Sequence, residues 1–134
     1  MRPEAEVIAF DRRIDARGAL TVGECPSGIP FQPVRFFLVD GVPAGDVRGD
    51  HAHRECHQLL ICTRGEVDVE VVADGDHTTY ALRGPEEGLH VPPLVWARQR
   101  YVQADSQLLV LASHPYSVAE YITDFDEYTS LRQP

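Results

Sequence analysis

Apolar and polar residues alternate with a period of two in short segments along the chain, and glycine, proline and aspartate separate the segments. The clearest run is Glu66 to Val72, where Val67, Val69 and Val71 share one face and Asp68 and Glu70 the other. Asp74-Gly75 follows, a dipeptide suited to a two-residue hairpin turn, and His77 to Leu82 is the expected return strand. The same pattern predicts strands at Glu6 to Phe10, Leu20 to Val22, Val34 to Asp40, Gln58 to Thr63, Leu89 to Val91, Ala97 to Val102 and Gln107 to Ser113. Only the stretch from Val118 to Leu131 reads as helical or irregular, with Glu120, Asp124, Asp126 and Glu127 expected in solvent. Eight to ten short strands in 134 residues predict one all-β domain over residues 1–134, closed as a jelly roll or Greek-key barrel so that few edges stay exposed.

Charge and composition narrow the partners. The formal net charge is −9 with no basic run, which argues against a nucleic-acid-binding surface built on phosphate neutralisation. All twelve cationic side chains are Arg, with no Lys and no Asn, a bias that points to a GC-rich coding sequence and a bacterial source. Without lysine, Schiff-base chemistry through a lysine is excluded, and any strong phosphate anchor must be Arg. No apolar stretch approaches the roughly 20 residues needed to span a bilayer. Met1 to Phe10 carries Glu4 and Glu6 and no apolar run, so no secretory signal is expected there. Cys25, Cys56 and Cys62 lack metal-finger spacing and read as reduced thiols in a cytoplasmic protein. Cys62 belongs in the core, and Cys56 reads as a small hydrophobe rather than a nucleophile.

The most informative segment is Arg48-Gly49-Asp50-His51-Ala52-His53. Two His at i and i+2 of a strand share one face. Imidazole titrates near pH ~6.5, so such a pair can take and give protons at neutral pH. His57, His77, His90 and His114 each stand alone in sequence and read as surface or edge residues.

The spacing Gly45, His51-x-His53, Gln58, Gly65 resembles the first motif of the cupin superfamily, and Pro92-Pro93-Leu94-Val95-Trp96-Ala97 echoes the second. In metal-binding cupins the place of Gln58 is usually Glu, and a ligand His would stand at Ala97. Two of four expected ligands are therefore replaced. Two imidazoles and a neutral amide make a poor site for Zn or Fe, although His57 could supply a third donor.

The resemblance tightens further along the chain. Arg48-Gly-x-His51-Ala-His53, Gln58, Gly88-Leu-x-Val-Pro-Pro-x-x-Trp96, Leu109-Val-Leu-Ala-Ser113-x-x-Tyr116 and Glu120-Tyr-Ile-x-Asp124-Phe-Asp126-Glu-Tyr128 are together similar to the sugar-nucleotide 3,4-ketoisomerases. The resemblance implies a cupin jelly-roll barrel acting on dTDP-4-keto-6-deoxyglucose in deoxysugar biosynthesis. It implies a keto group moved from C4 to C3 through an enediol, without metal or organic cofactor. It also implies a homodimer, often with exchanged N-terminal strands.

The residues fit such chemistry. A carbonyl acidifies the neighbouring C–H, so one well-placed base suffices and no hydride acceptor is needed. His51 and His53 are the expected base and proton donor or shuttle, a contribution of roughly 10²–10⁴-fold. Arg48, Arg35 and Arg98 are the candidate pyrophosphate anchors, because guanidinium contacts phosphate in bidentate fashion. Gln58 can orient a hydroxyl or a His. Trp96 is expected either to line the pocket or to pack in the core, and Tyr116 to serve the substrate or the structure. Family members commonly carry Tyr in the strand that here reads Arg35-Phe36-Phe37-Leu38-Val39-Asp40, so another group, such as Tyr101, Tyr116 or water, would have to replace that phenol. The competing readings are a dTDP-sugar 3,5-epimerase, a metal-dependent cupin dioxygenase and a non-catalytic sugar-nucleotide binding module.

Overall fold

A computed structural model describes residues 3–133. Met1, Arg2 and Pro134, which the expected domain and N-terminal segment include, lie outside the described residues. The strands are β1 (Glu6–Ala9), β2 (Asp11–Asp15), β3 (Gly18–Val22), β4 (Arg35–Val39), β5 (Val47–His53), β6 (Gln58–Arg64), β7 (Val67–Ala73), β8 (Asp76–Leu82), β9 (Glu87–Val91), β10 (Trp96–Tyr101), β11 (Gln107–Ala112) and β12 (Tyr121–Ile122). A 3₁₀ turn (Val118–Glu120) precedes β12, and one helix, α1 (Phe125–Arg132), follows it.

Two five-stranded sheets form a jelly-roll sandwich, ordered β1-β9-β6-β11-β4 and β12-β5-β10-β7-β8, while β2 and β3 pair only with each other. The all-β jelly roll expected from the strand pattern, and the cupin-like form implied by the resemblance, are what is observed. The hairpin of β7 and β8 turns at Asp74 (φ 55°) and Gly75 (φ 82°), the two left-handed residues that a tight hairpin requires. Val67, Val69 and Val71 face inward as the alternation dictates, and meet Leu60, Cys62, Leu89, Val91, Leu108 and Val110 of the opposite sheet. Ala97 and Tyr101 of β10 also point into this space.

The outer face of β5, β10 and β7 would leave Ala52, Trp96 and Val72 in water. The C-terminal segment covers them, placing Ile122 and Tyr128 against these side chains. Helix α1 starts where the Asp124 carboxylate accepts the Asp126 and Glu127 N–H groups, a standard N-cap. Tyr128 donates its hydroxyl to the Val72 carbonyl at 2.6 Å and so ties the helix to β7.

Candidate active site

Arg48 and His51 lie three apart in β5, and such positions in a regular strand face opposite ways. In this structure both line one cavity. A β-bulge brings them together. Gly49 (φ 84°) and Asp50 (φ 67°) are both left-handed, and the ladder to β10 skips there, pairing Ala97 with His51 and Arg98 with Gly49. Glycine at 49 serves the left-handed backbone angle, and a Cβ there would also have to push aside the Gln99 side-chain amide. The bulge turns Asp50 outward, where its carboxylate accepts the Trp96 indole N–H at 2.9 Å.

The cavity has a volume of about 310 Å³, at the lower end of small-molecule sites. Arg48, His51, Gln99, Tyr101 and Tyr121 form the wall from one sheet, and Gln58, Phe37, Val39, Leu108 and Val110 form the wall from the other. His53 lies beside His51, with ring centroids 5.0 Å apart in an edge-on arrangement. Both His53 ring nitrogens are buried and have no hydrogen-bond partner among the described residues.

Burial holds both imidazoles in the neutral form. The His53 pKa is pushed down to about 4, chiefly by burial and secondarily by His51, with the Glu120 carboxylate opposing. His51 is lowered too, again by burial first, while the Gly49 carbonyl and Asp50 oppose. A neutral imidazole carries one N–H donor and one basic nitrogen; His51 lines the cavity with these, whereas His53 stands beside it and is not among the lining residues.

The other expected site residues separate into two groups. Gln58 is buried and lines the cavity from β6. Arg35 is half-buried at the start of β4, its guanidinium 5.3 Å from the Phe37 ring and 5.7 Å from the Tyr116 ring, and its charge is felt by His53. Trp96 is a core residue rather than a wall of the cavity, because residue 96 alternates with the inward Ala97 and packs against Phe125 and Tyr128. Arg98 also points outward, where it pairs with the Glu70 carboxylate at 3.0 Å, and so stands away from the histidines. Tyr116 is 65% exposed and is not among the residues lining the cavity.

Of the two phenylalanines of β4, Phe37 lines the cavity and Phe36 faces outward, so only Phe37 occupies a position where a phenol could meet a ligand. Tyr101 lines the same cavity and is the phenol that shares it with Tyr121. Gln99 and Tyr101 were findable in sequence, because they alternate with Ala97 on one face of β10. Tyr121 left no such signal: a two-residue strand has no period. Glu120, expected in solvent, is half-buried and accepts the Cys56 N–H at 2.6 Å.

The donor set does not suit a metal ion. His51 and His53 converge, but a neutral amide (Gln58) faces them, and the residue paired with His51 across the ladder is Ala97. No group of three or more His, Cys, Asp or Glu among the described residues could hold one. His57 points elsewhere, into a second cluster, with its Nδ1 2.9 Å from Nε2 of His90 and the two rings stacked under Phe31. Those two histidines, read singly as surface residues, are therefore a half-buried pair, and His90 is also pushed down to about 4 by burial and then by His57.

These depressed histidines make the fold acid-labile in a definite window. The unfolded chain protonates them near 6.5, whereas folded His53 and His90 resist until about 4. Between those values the unfolded state binds more protons, so stability falls as pH drops through the window and is regained above it. Urea midpoints measured from pH 7.5 to 4.5 are expected to decline steadily below pH ~6.5. A flat profile would contradict the burial of these rings.

The barrel and its paired, buried histidines define a cupin-fold enzyme site. Comparison with known proteins agrees with this class. Residues 3–133 match the family model described as FdtA, WxcM-like, C-terminal. The chain is 34% identical over 126 residues to the TDP-4-oxo-6-deoxy-α-D-glucose-3,4-oxoisomerase of Aneurinibacillus thermoaerophilus, covering 93% of this chain and 90% of that protein. A histidine-to-asparagine mutant of the 3,4-ketoisomerase QdtA from Thermoanaerobacterium thermosaccharolyticum, solved with TDP-4-keto-6-deoxyglucose, superposes with a TM-score of 0.92 at 32% identity, over 98% of this chain and 96% of that one. A 3,4-ketoisomerase from Helicobacter canadensis gives a TM-score of 0.90 at 31% identity, over 96% of each chain. The chain belongs to this family of sugar-nucleotide 3,4-ketoisomerases and is an isomerase.

Proposed function

We propose that the protein converts TDP-4-keto-6-deoxyglucose into a TDP-3-keto-6-deoxyhexose. The observation that carries this reading is the bulge at Gly49-Asp50, which puts a permanent cation, Arg48, and a neutral imidazole, His51, on one cavity wall. The substrate is an anion with an acidified C–H beside a ketone, and it needs those two functions.

In the proposed reaction one imidazole removes the proton from C3. The electron pair of that C–H bond forms the C3–C4 double bond, and the C4 oxygen gains a proton with help from the second imidazole. The enediol then collapses the other way. The C3 hydroxyl loses its proton as its oxygen becomes the ketone, and the imidazolium returns a proton to C4. Hydrogen and electrons balance within the substrate. In this reading Gln58 and Tyr101 hold ring hydroxyls and Arg48 the pyrophosphate, supported by their all lining the cavity. The protein acts in the cytoplasm.

The proposed assembly is a homodimer. Its support is the apolar outer face of the β4 edge, where Phe36 and Leu38 are exposed, and the separate β2–β3 hairpin, which carries exposed Ile14 and Leu20. An exchanged hairpin would cover such surface.

Incubation with TDP-4-keto-6-deoxyglucose tests the reading, with NMR of the product expected to show the ketone at C3. An unchanged 4-ketone would reject it. The two arginines provide a separate check by calorimetry with TDP. Arg48→Ala removes charge-assisted hydrogen bonds worth about 1.5–3 kcal/mol and weakens binding about 10- to 100-fold. Arg98→Ala changes Kd by less than about twofold, because Arg98 is engaged with Glu70 on the far face.

A further inference from the structure

Buried catalytic histidines are ordinarily aimed by a hydrogen bond to one ring nitrogen. His53 has none: both nitrogens are buried and without a partner among the described residues. Its orientation is set by ring packing. The Tyr121 ring lies 4.6 Å from His53 and 4.8 Å from His51, bridging the two, and Tyr116 lies behind it at 5.9 Å. Tyr121 reaches this place through β12, which pairs Tyr121 with His53 and Ile122 with Ala52.

A strand of two residues is too short to hold itself. The anchor is its neighbour. The Glu120 carbonyl accepts the Arg54 N–H at 3.0 Å, and its carboxylate accepts the N–H groups of Glu55 and Cys56. The Arg54 guanidinium reaches back to the Ala119 carbonyl at 3.1 Å. The turn that follows the catalytic strand and the segment carrying Tyr121 are thus knitted together on both sides.

We propose that Glu120 and Tyr121 are positioning residues for this isomerase: the Tyr121 ring clamps both imidazoles, and Glu120 fixes the clamp to the end of β5. The charged and titratable groups around the pair are Arg35 on β4, Asp50 on β5, and Glu120 and Tyr121 on the C-terminal segment. The clamp does two things. It keeps each ring at a fixed angle to the cavity while the proton travels between neighbouring carbons, and it excludes water from the ring faces. The inference rests on the proposed isomerase for its kinetic consequence, but not for its structural one.

Two measurements separate those parts. Tyr121→Leu is expected to lower kcat about 10- to 100-fold with KM within about threefold, since misaimed groups lose rate rather than ground-state binding. Tyr121→Phe restores most of that loss, because the ring is the working part. Imidazole NMR titration needs no turnover, and in Tyr121→Leu the His53 midpoint is expected to rise toward 6.5 as water enters. Where Tyr121→Leu fails to fold, Glu120→Ala loosens the same clamp, and Glu120→Gln, which keeps an acceptor oxygen, recovers the rate. Wild-type kcat and wild-type His titration in both Tyr121→Leu and Glu120→Ala would overturn the proposal. So would Tyr121→Phe as inactive as Tyr121→Leu, which would assign the work to the phenol. Wild-type protein inert toward the keto sugar, yet with His53 shifted in Tyr121→Leu, would defeat the isomerase reading and leave the clamp standing.

Discussion

His51→Asn and His53→Asn each lower kcat on TDP-4-keto-6-deoxyglucose by about 10²–10⁴-fold, the range a positioned general base contributes. Asparagine approximates the imidazole outline and keeps hydrogen-bonding capacity, but it cannot take a proton near neutral pH. The loss therefore falls on the chemical step. Arg48 supplies the anion contact from its own place on the cavity wall, so TDP affinity measured by calorimetry stays within about threefold in both variants. The double variant is expected to be little worse than the singles, because the two imidazoles act as one proton-transfer unit. Near wild-type kcat in both single variants would remove the mechanism. The depressed His pKa values matter to this expectation, because a base already protonated at pH 7 could not begin the reaction.

Arg132→Ala destabilises the fold by about 3 kcal/mol, read as a lowered urea midpoint at pH 7.5. Arg132 is the buried junction of four segments. Its Nη2 meets the Asp74 carboxylate at 2.7 Å, and its Nη1 donates to the carbonyls of Pro3 and Leu94, each at 2.8 Å. The side chain is 4% exposed, whereas Asp74 is 33% exposed, so the ion pair alone is worth less than a fully buried one. The two carbonyls contribute the rest. Arg132→Lys keeps the charge but not the planar fork and recovers only part of the loss. The same contact reaches the site: the Leu94 N–H donates to the His53 carbonyl at 2.8 Å, so Arg132→Ala also lowers kcat. An unchanged midpoint would show that the junction is replaceable.

The sequence was legible where a physical period operates. Val67, Val69 and Val71 declared their inward face, and Asp74-Gly75 declared its hairpin, because side-chain alternation and left-handed turn geometry are local rules. The His51-x-His53 pair was legible for the same reason. Arg48 was named from chemistry and adjacency, yet strict alternation would have put it on the wrong face. Only the bulge, two consecutive left-handed residues, brings it to the cavity. Trp96 and Arg98 went the other way: their parity relative to inward Ala97 sends them to the outer face, where helix α1 and Glu70 engage them. β2 was not expected because its run Asp11–Asp15 is mostly charged, and β12 because two residues carry no pattern. Tyr121 lay within the Glu120-Tyr-Ile motif, but its place beside the histidines emerged only in the tertiary structure, and so did the stacking of His57 on His90 across β6 and β9.

The most direct measurement of the central claim is the reaction run in deuterated water with unlabelled TDP-4-keto-6-deoxyglucose, followed by NMR of the product. The predicted result is a ketone at C3 and protium retained at C5. Deuterium at C5 with the ketone still at C4 would contradict the account and identify an epimerase.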